Sequence, residues 1–275
     1  MSRTPERLRH HYEVEKELAS RLRASTREER PALFKELYNE LFDRVPDHPR
    51  LTRQESETGN ARRVQNQLNL LRSFLKPGHT LVEFAPGDGR LAAAAAQWVG
   101  SDGRVIGVDI SDQRAGGLTV PANFELVVYD GYHLDLPDSV ADVVFSYQFL
   151  EHLHPEDINL HFELANRLLK PGGWYVLSTP HRFSGPHDIG RHFGRELVCF
   201  HFQEWTYGSM ERTVRAAGFS ELVAVKEGKP LHGPLGWAWR SAEAVAGLMP
   251  KSLQGALADQ YFLNVTAAAR KPSSQ

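Results

Sequence analysis

Residues 80–91, with the sequence TLVEFAPGDGRL, place a glycine-containing turn between a short apolar run and an alanine-rich stretch. The apolar run suits a buried strand, and residues 91–99 suit a helix. A strand, a glycine turn and a helix in this order form the first crossover of a doubly wound α/β sheet. Ligands bind such sheets beyond the carboxyl ends of the strands, so this segment predicts both the fold class and the place of the site.

Two classes of ligand fit a glycine turn of this kind, and Glu83 helps to separate them. The pattern Gly87-x-Gly89-x-x-Ala92 also fits a dinucleotide fingerprint, with Asp109 as the acid about twenty residues further on. However, Glu83 ends the predicted strand where a dinucleotide places its pyrophosphate. Each like-charge pair at about 6 Å and an effective dielectric of about 20 costs roughly 3 kcal/mol. A ligand with an ammonium and a sulfonium, such as S-adenosylmethionine, would instead be stabilised by the carboxylate.

The segment VEFAPGDGR resembles the first motif of class I S-adenosylmethionine-dependent methyltransferases. The resemblance covers residues 80–219 and points to the small-molecule branch that includes ubiquinone-biosynthesis-like enzymes. The family usually has glycine where Ala85 stands and often has cysteine where Pro86 stands. The resemblance implies a Rossmann-like fold: a doubly wound, mostly parallel sheet of seven strands whose last strand is antiparallel.

Composition narrows the function classes. The net charge of −2 and the pI near 6.7 give no electrostatic support for a nucleic-acid partner. The single cysteine, Cys199, cannot form an intrachain disulfide. Because the sequence shows neither an apolar run of membrane-spanning length nor a signal-peptide pattern, we expect a cytoplasmic protein with a small-molecule partner. No feature of the sequence predicts the oligomeric state.

Two regions are predicted along the chain. Residues 1–76 should form a helical extension or lid, and residues 77–275 should form the methyltransferase domain with loop insertions at 180–201 and 228–258. Within the second insertion, residues 242–248 suit a helix, and residues 260–267 suit the late antiparallel strand. The helical extension could pack against the sheet or cover the site, and these two roles are compatible.

The resemblance also assigns a cofactor site. It implies that Asp109 binds the ribose hydroxyls, with a helix N-cap formed by Asp109 or Ser111 as the alternative. It implies that Asp130 approaches the adenine, with an ordinary Asp-Gly turn as the alternative. The predicted cofactor-binding residues are Glu83, Ala85, Gly87, Gly89, Asp109, Ile110, Asp130, Gly131, Tyr147 and Gln148.

The irregular segment 180–201 carries four of the thirteen histidines and is predicted to lie above the site. His187 or His192 is the candidate general base for the acceptor, the alternative being that these histidines only hold the loop. A metal site at His187, Asp188 and His192 is not predicted, since the sequence lacks a His-x-x-x-His pair and a cysteine cluster. The predicted substrate contacts are His152, His181, Arg182 and Trp237.

The resulting hypothesis is methyl transfer from S-adenosylmethionine to a small biosynthetic molecule, with an oxygen nucleophile as the expected acceptor. The residues themselves do not separate oxygen from nitrogen or carbon acceptors. One alternative is an NAD(P)-dependent oxidoreductase. The position of Glu83 and the late antiparallel strand both argue against this alternative. The other is a non-catalytic module that binds the cofactor without transfer.

Overall fold

The computed structural model describes residues 3–52 and 57–273, and its described residues form an eight-stranded sheet with helices on both faces. The helices that precede the sheet, called the N-terminal helices below, are α1 (Pro5–Arg23), α2 (Arg30–Arg44), α3 (Pro49–Thr52) and α4 (Glu57–Leu71). The helical character predicted for residues 1–76 is therefore confirmed for the described part of that region. None of the described helices combines the length and the hydropathy of a transmembrane span.

Strands and helices alternate from residue 80 onward. The strands are β1 (Thr80–Phe84), β2 (Arg104–Asp109), β3 (Phe124–Val128), β4 (Ala141–Tyr147), β5 (Leu169–Pro180), β6 (Glu221–Lys226), β7 (Lys229–Leu231) and β8 (Asn264–Arg270). The helices between them are α5 (Arg90–Val99), α6 (Ile158–Leu168), α7 (Tyr207–Ala216), α8 (Gly233–Gly247) and α9 (Lys251–Tyr261).

The sheet has the strand order β3-β2-β1-β4-β5-β8-β6-β7. Strands β1 to β5 pair in parallel, and β8 is antiparallel to both of its neighbours, β5 and β6. The predicted doubly wound sheet with an antiparallel last strand is thus confirmed, with the short β7 added at the edge. Because the winding direction reverses between β1 and β4, their carboxyl ends border the crevice in which such folds bind ligands.

The carboxy-terminal third departs from the predicted boundaries. Helix α9 continues to Tyr261, so the last strand begins at Asn264 and not at residue 260. The segment 228–258 was expected to be a loop with one short helix, but it holds β7, all of α8 and most of α9. Short apolar runs fit a buried helix and a strand equally well, which explains the misplaced boundary.

A separate apolar cluster holds α1 and α2 together. Residues of α1 and α2 pack there against two aromatic side chains from the segment after β5, Phe200 and Phe202. Burying each large apolar side chain contributes roughly 1.5–3 kcal/mol. The buried leucines of this cluster from α1 and α2 are Leu18, Leu22, Leu37 and Leu41.

A buried ion pair also joins these helices to the sheet domain. Nη1 of Arg30, at the start of α2, donates to both carboxylate oxygens of Asp157, at 2.8 and 2.9 Å. Nη2 of Arg30 donates to the backbone oxygen of Ser25 at 3.1 Å. The Tyr132 hydroxyl donates to the same Asp157 carboxylate at 2.7 Å. The pair therefore fixes the start of α2 against the amino end of α6.

Candidate active site

A cavity of about 1290 Å³ lies at the carboxyl ends of β1, β2 and β4. Small-molecule sites commonly measure about 300–1,000 Å³, so this cavity has room for two ligands side by side. The N-terminal helices form one of its walls. Their lining residues are Leu22, Pro31, Phe34, Tyr38, Asn39, Phe42, Arg50, Arg63 and Gln67.

Two strand ends beside the cavity have unusual backbone. Ala85 follows β1 with φ of +53°, and Gln148 follows β4 with φ of +51°. Non-glycine residues in this region cost of order 1–3 kcal/mol and cluster at functional sites. The positive φ of Ala85 explains why glycine is usual at this position in the family that the motif resembles. Both residues line the cavity, in agreement with their predicted place.

The two glycines of the turn differ in role. Gly87 lines the cavity with φ of +56°, and a Cβ on it would meet nothing within 4 Å, so its bare backbone faces open space. Gly89 does not line the cavity and instead stands before α5 with φ of +74°. A Cβ on Gly89 would lie 3.0 Å from Leu118 Cδ2. Gly89 therefore serves the turn and its packing, and contact with a ligand in the cavity is left to Gly87.

Glu83 is the central polar group of the site. It is 4% exposed and lines the cavity, and its Oε2 has no hydrogen-bond partner among the described residues. Burial, together with the charges of Asp88 and Asp109, raises the pKa of Glu83 to about 8. The side chain is therefore mostly neutral at pH 7 in the free protein. This corrects the assumption, made from the sequence, of a standing negative charge.

Asp109 closes β2 at the next strand end and also lines the cavity. Burial raises its pKa, while the backbone N–H groups of Ser111, Ile110 and Gly87 oppose the rise. The N–H of Ser111 donates to Asp109 Oδ1 at 3.3 Å. The alternative role as a helix N-cap fails because residues 110–123, all of them described, contain no helix. Ile110 lines the cavity beside Asp109.

Asp130 is exposed and does not line the cavity. Its Oδ1 accepts hydrogen bonds from the backbone N–H groups of Tyr132, at 2.7 Å, and His133, at 2.6 Å. Burial acts to raise the pKa of Asp130, but the hydrogen bonds from His133 and Tyr132 outweigh it and lower the pKa to about 2. This is the geometry of the alternative interpretation, an Asp-Gly turn. Gly131, next in the chain, does line the cavity.

On both sides of Gln148 the cavity wall is aromatic. Tyr147 and Phe149 line it, and burial raises the pKa of Tyr147. The His161 imidazole meets Phe149 edge-on with ring centres 5.2 Å apart, and its Nε2 lies 2.7 Å from the Tyr175 hydroxyl. Burial lowers the pKa of His161 to about 3, so its ring is neutral. These aromatic side chains suit a flat or apolar acceptor.

The predicted base histidines lie elsewhere. Neither His187 nor His192 lines the cavity. His187 Nε2 lies 3.0 Å from the backbone oxygen of His181, and His192 is exposed. The neighbouring Phe193 stacks on Tyr12 of α1 with ring centres 4.4 Å apart, which packs this segment against α1. From these positions neither imidazole reaches a ligand in the cavity, a placement that sequence spacing does not reveal.

Of the four predicted substrate contacts, only His152 lines the cavity. His181 is fully buried and bonds through Nε2 to Glu243 Oε1 at 2.7 Å. Arg182 is exposed and lies outside the cavity. Trp237 is 81% exposed on α8 and also lies outside it. The prediction that segment 180–201 reaches the site holds for its last aromatic residue, Phe200, and not for its middle.

Several lining residues were missed from the sequence because they come from the N-terminal helices. Tyr38 stacks on Phe200 with ring centres 5.2 Å apart, and the Arg50 guanidinium lies 5.8 Å from the centre of the Tyr38 ring. Phe34, Tyr38 and Phe42 recur every fourth residue on α2, a spacing that indicates one helix face. That aromatic face could have predicted that α2 contributes to a ligand cavity, whereas nothing in the sequence singles out Arg50.

Comparison with known proteins gives one family match and a set of similar folds. Residues 82–177 match the family described as a methyltransferase domain. A ubiquinone/menaquinone biosynthesis C-methyltransferase of Cellvibrio japonicus is 28% identical over 138 residues, which is 48% of this chain and 53% of that protein. The alignment thus spans about half the length of that relative.

Two solved structures share the fold. One is a chain of a Haloferax volcanii complex between a methyltransferase activator and a methyltransferase, with TM-score 0.55, 18% identity and coverage of 78% of this chain and 92% of that chain. The other is the Burkholderia thailandensis 1,6-didemethyltoxoflavin-N1-methyltransferase with its substrate and S-adenosylhomocysteine bound. It has TM-score 0.52, 15% identity and coverage of 88% of this chain and 91% of that chain. At these identities the likeness concerns the fold alone.

Proposed function

We propose that this chain, whose residues 82–177 match a methyltransferase-domain family, transfers a methyl group from S-adenosylmethionine to a small-molecule acceptor. One observation carries the proposal: the buried Glu83 carboxyl, at the carboxyl end of β1, has an oxygen without a hydrogen-bond partner among the described residues. An orphaned buried oxygen costs about 1–3 kcal/mol, and an ammonium donor in the cavity would satisfy it.

The lining residues divide the cavity into two halves. Glu83 would bind the amino group of the cofactor, and Gly87, which has no side chain, would leave room for its methionine moiety. Asp109 would accept hydrogen bonds from both ribose hydroxyls. Ile110 and Gly131 would border the adenine. The opposite half would hold the acceptor between the strand end at Gln148 and the N-terminal helices, which act as a cover in this proposal.

The chemistry asks mainly for alignment. S-adenosylmethionine supplies an electrophilic methyl group when bound, so the protein needs to position the acceptor and exclude water. The N-terminal helices and the aromatic wall around Gln148 would do both. We propose an oxygen nucleophile as the acceptor. His152, which lines the cavity, supports this choice because burial lowers its pKa to about 3. Its ring is therefore neutral and keeps one lone pair available, either for the proton of a hydroxyl or for a cation that binds the hydroxyl oxygen.

Transfer of label tests this function. Purified protein incubated with methyl-labelled S-adenosylmethionine and a fractionated small-molecule extract should yield a labelled product and S-adenosylhomocysteine. Heat-inactivated protein is the control, and the position of the label on oxygen, carbon or nitrogen follows from NMR of the product. Thermal protection by NAD or NADP without protection by S-adenosylhomocysteine would reverse the choice of function. Binding of the cofactor with no labelled product would favour the non-catalytic module.

The pKa of Glu83 leads to a measurable proton release. In the free protein this pKa stands at about 8 against an ordinary value of 4.5, so at pH 7 the side chain holds its proton. A bound ammonium favours the carboxylate, so binding of S-adenosylhomocysteine should release up to about one proton, and affinity should fall by up to about tenfold per pH unit below pH 8. Calorimetry at pH 7 in phosphate and in Tris measures the release.

Glu83→Gln is the matched variant, since it keeps the shape and cannot ionise. When this variant binds S-adenosylhomocysteine, the only protons exchanged with the buffer should be those of the ligand's own amino group. Because the pKa of Glu83 is higher in the folded protein than in the unfolded chain, the contribution of Glu83 to the free energy of unfolding is fully present below pH 4.5. This contribution is lost as the pH rises from about 4.5 toward 8. Glu83→Gln should therefore melt higher than the parent at pH 9. Equal proton release by both proteins would exclude the role given to Glu83.

A further inference from the structure

Three metal-ligating side chains meet beside the acceptor half of the cavity. Glu151 and His152 lie on the short 3-10 helix after β4 (Leu150–His152), and His201 comes from the segment after β5. One carboxylate oxygen of Glu151 and one ring nitrogen of each histidine all lie within 4.8 Å of one another. Glu151 is 1% exposed and His201 is 7% exposed, while His152 lines the cavity.

Each imidazole is already oriented through Nδ1. The ring nitrogen Nδ1 of His152 lies 3.0 Å from the backbone oxygen of Phe200, and Nδ1 of His201 lies 3.0 Å from Glu204 Oε1. A carbonyl or carboxylate on one ring nitrogen fixes the tautomer in which the other nitrogen is a free ligand, as in many metal sites. Neither Nε2 has a hydrogen-bond partner among the described residues, so an ion would not have to displace a side chain from either ring nitrogen.

The carboxylate of Glu151 is oriented in the same way. Its Oε2 accepts a hydrogen bond from Thr179 Oγ1 at 2.9 Å. Within residues 3–52 and 57–273, no hydrogen bond or ion pair joins this carboxylate directly to His152 or His201. A buried acid that stays apart from two adjacent imidazoles leaves a gap of the size that an ion fills, whereas a simple ion pair would have closed it.

We propose that Glu151, His152 and His201 bind a divalent first-row transition-metal ion and leave a coordination position open to the cavity. Two imidazoles and one carboxylate are a donor set that such ions prefer, and three protein ligands with an open position are typical of catalytic sites. The sequence did not predict this site, because His201 lies far from the other two ligands in the chain.

The open position gives the ion a function that rests on the methyl-transfer proposal. A cation there would coordinate the acceptor hydroxyl and lower its pKa, so that the proton leaves to water. This would supply the activation that neither His187 nor His192 can provide from outside the cavity. The substrate class is therefore an alcohol, phenol or enol whose oxygen reaches the ion through the aromatic half of the cavity.

Cobalt binding tests the site without any methyl transfer. Untagged protein titrated with Co²⁺ alone should develop visible absorption bands that saturate at one ion per chain. His201→Gln and Glu151→Gln should each weaken this binding by more than about tenfold. His192→Gln, which removes an exposed histidine outside the cluster, should leave the bands and the affinity unchanged.

The readouts separate this proposal from the proposed function. Both cluster variants should still bind S-adenosylhomocysteine, which also shows that they fold. Equal Co²⁺ affinity in the parent and in His201→Gln, or no bands in the parent, would overturn the site. A near-ultraviolet sulfur-to-cobalt band would also overturn it, since that band would place the ion at the neighbouring cluster of Glu15, Asp188 and Cys199.

Discussion

Replacement of Asp109 by asparagine should weaken S-adenosylhomocysteine binding by roughly 10- to 150-fold, the equivalent of the about 1.5–3 kcal/mol carried by hydrogen bonds to a charged group. The carboxylate ends β2 inside the cavity. Two ribose hydroxyls need two acceptors, and an amide offers one acceptor and one donor. Asparagine keeps an oxygen for the backbone N–H of Ser111, so the turn should survive. Calorimetry gives the affinity, and the melting temperature of the free protein reports on folding.

Asp130→Asn is the matched control. Its carboxylate is exposed, bonds the backbone of its own turn and lies outside the cavity, so its replacement should change the affinity by less than about twofold. This pair of variants separates the two acids that the motif resemblance treats alike. Affinity that stays within twofold in Asp109→Asn would remove the ribose role and with it much of the cofactor proposal.

Arg30→Met should lower the free energy of unfolding by about 3–5 kcal/mol, the usual cost of leaving one member of a buried ion pair unpaired. The Arg30 side chain is 1% exposed and holds both oxygens of Asp157, which is itself buried. Its loss would strand the carboxylate with only the Tyr132 hydroxyl as a side-chain donor apart from the exposed Arg27. Chemical unfolding followed by circular dichroism measures the change.

Arg21→Met provides the comparison. Arg21 also pairs with two acids, Glu36 and Glu40, but its side chain is 39% exposed. Exposed pairs contribute about 0–1 kcal/mol, so this variant should unfold almost like the parent. The double variant Arg30→Met with Asp157→Leu should recover part of the loss, because it removes the stranded charge. Equal losses in Arg30→Met and Arg21→Met would show that burial of the pair has no energetic weight.

Local sequence patterns were sufficient to predict those elements whose signals lie close together in the chain. The β1 turn and α5 follow from an apolar run, two glycines and an alanine-rich helix, all within twenty residues. The start of β8 was misplaced because residues 260–263 are as apolar as a strand and yet continue or follow α9. Tertiary packing decides between helix and strand in such short segments.

The same distinction between local signals and long-range contacts applies to the residues of the candidate site. The places of Glu83, Gly87 and Asp109 beside the cavity could be predicted from local signals. Glu83 and Asp109 lie at the carboxyl ends of β1 and β2, Gly87 lies in the turn after β1, and parallel strands end at one edge of the sheet. His187 could not be placed, since its position depends on long-range contacts of its loop with α1 and Glu204. Glu83 was found as a side chain but not as a neutral acid, because a pKa depends on three-dimensional burial that sequence position does not give.

The apolar cluster of α1, α2 and Phe200 has a consequence during synthesis. The helices leave the ribosome before the aromatic side chains that complete their cluster, because these belong to a segment made after β5. Translation adds roughly 5–20 residues per second, so the apolar faces of the nascent helices stay uncovered for on the order of ten seconds. During that interval the apolar faces of α1 and α2 form a binding surface for a holdase chaperone. Phe200 and Phe202 cover this surface once the fold is complete.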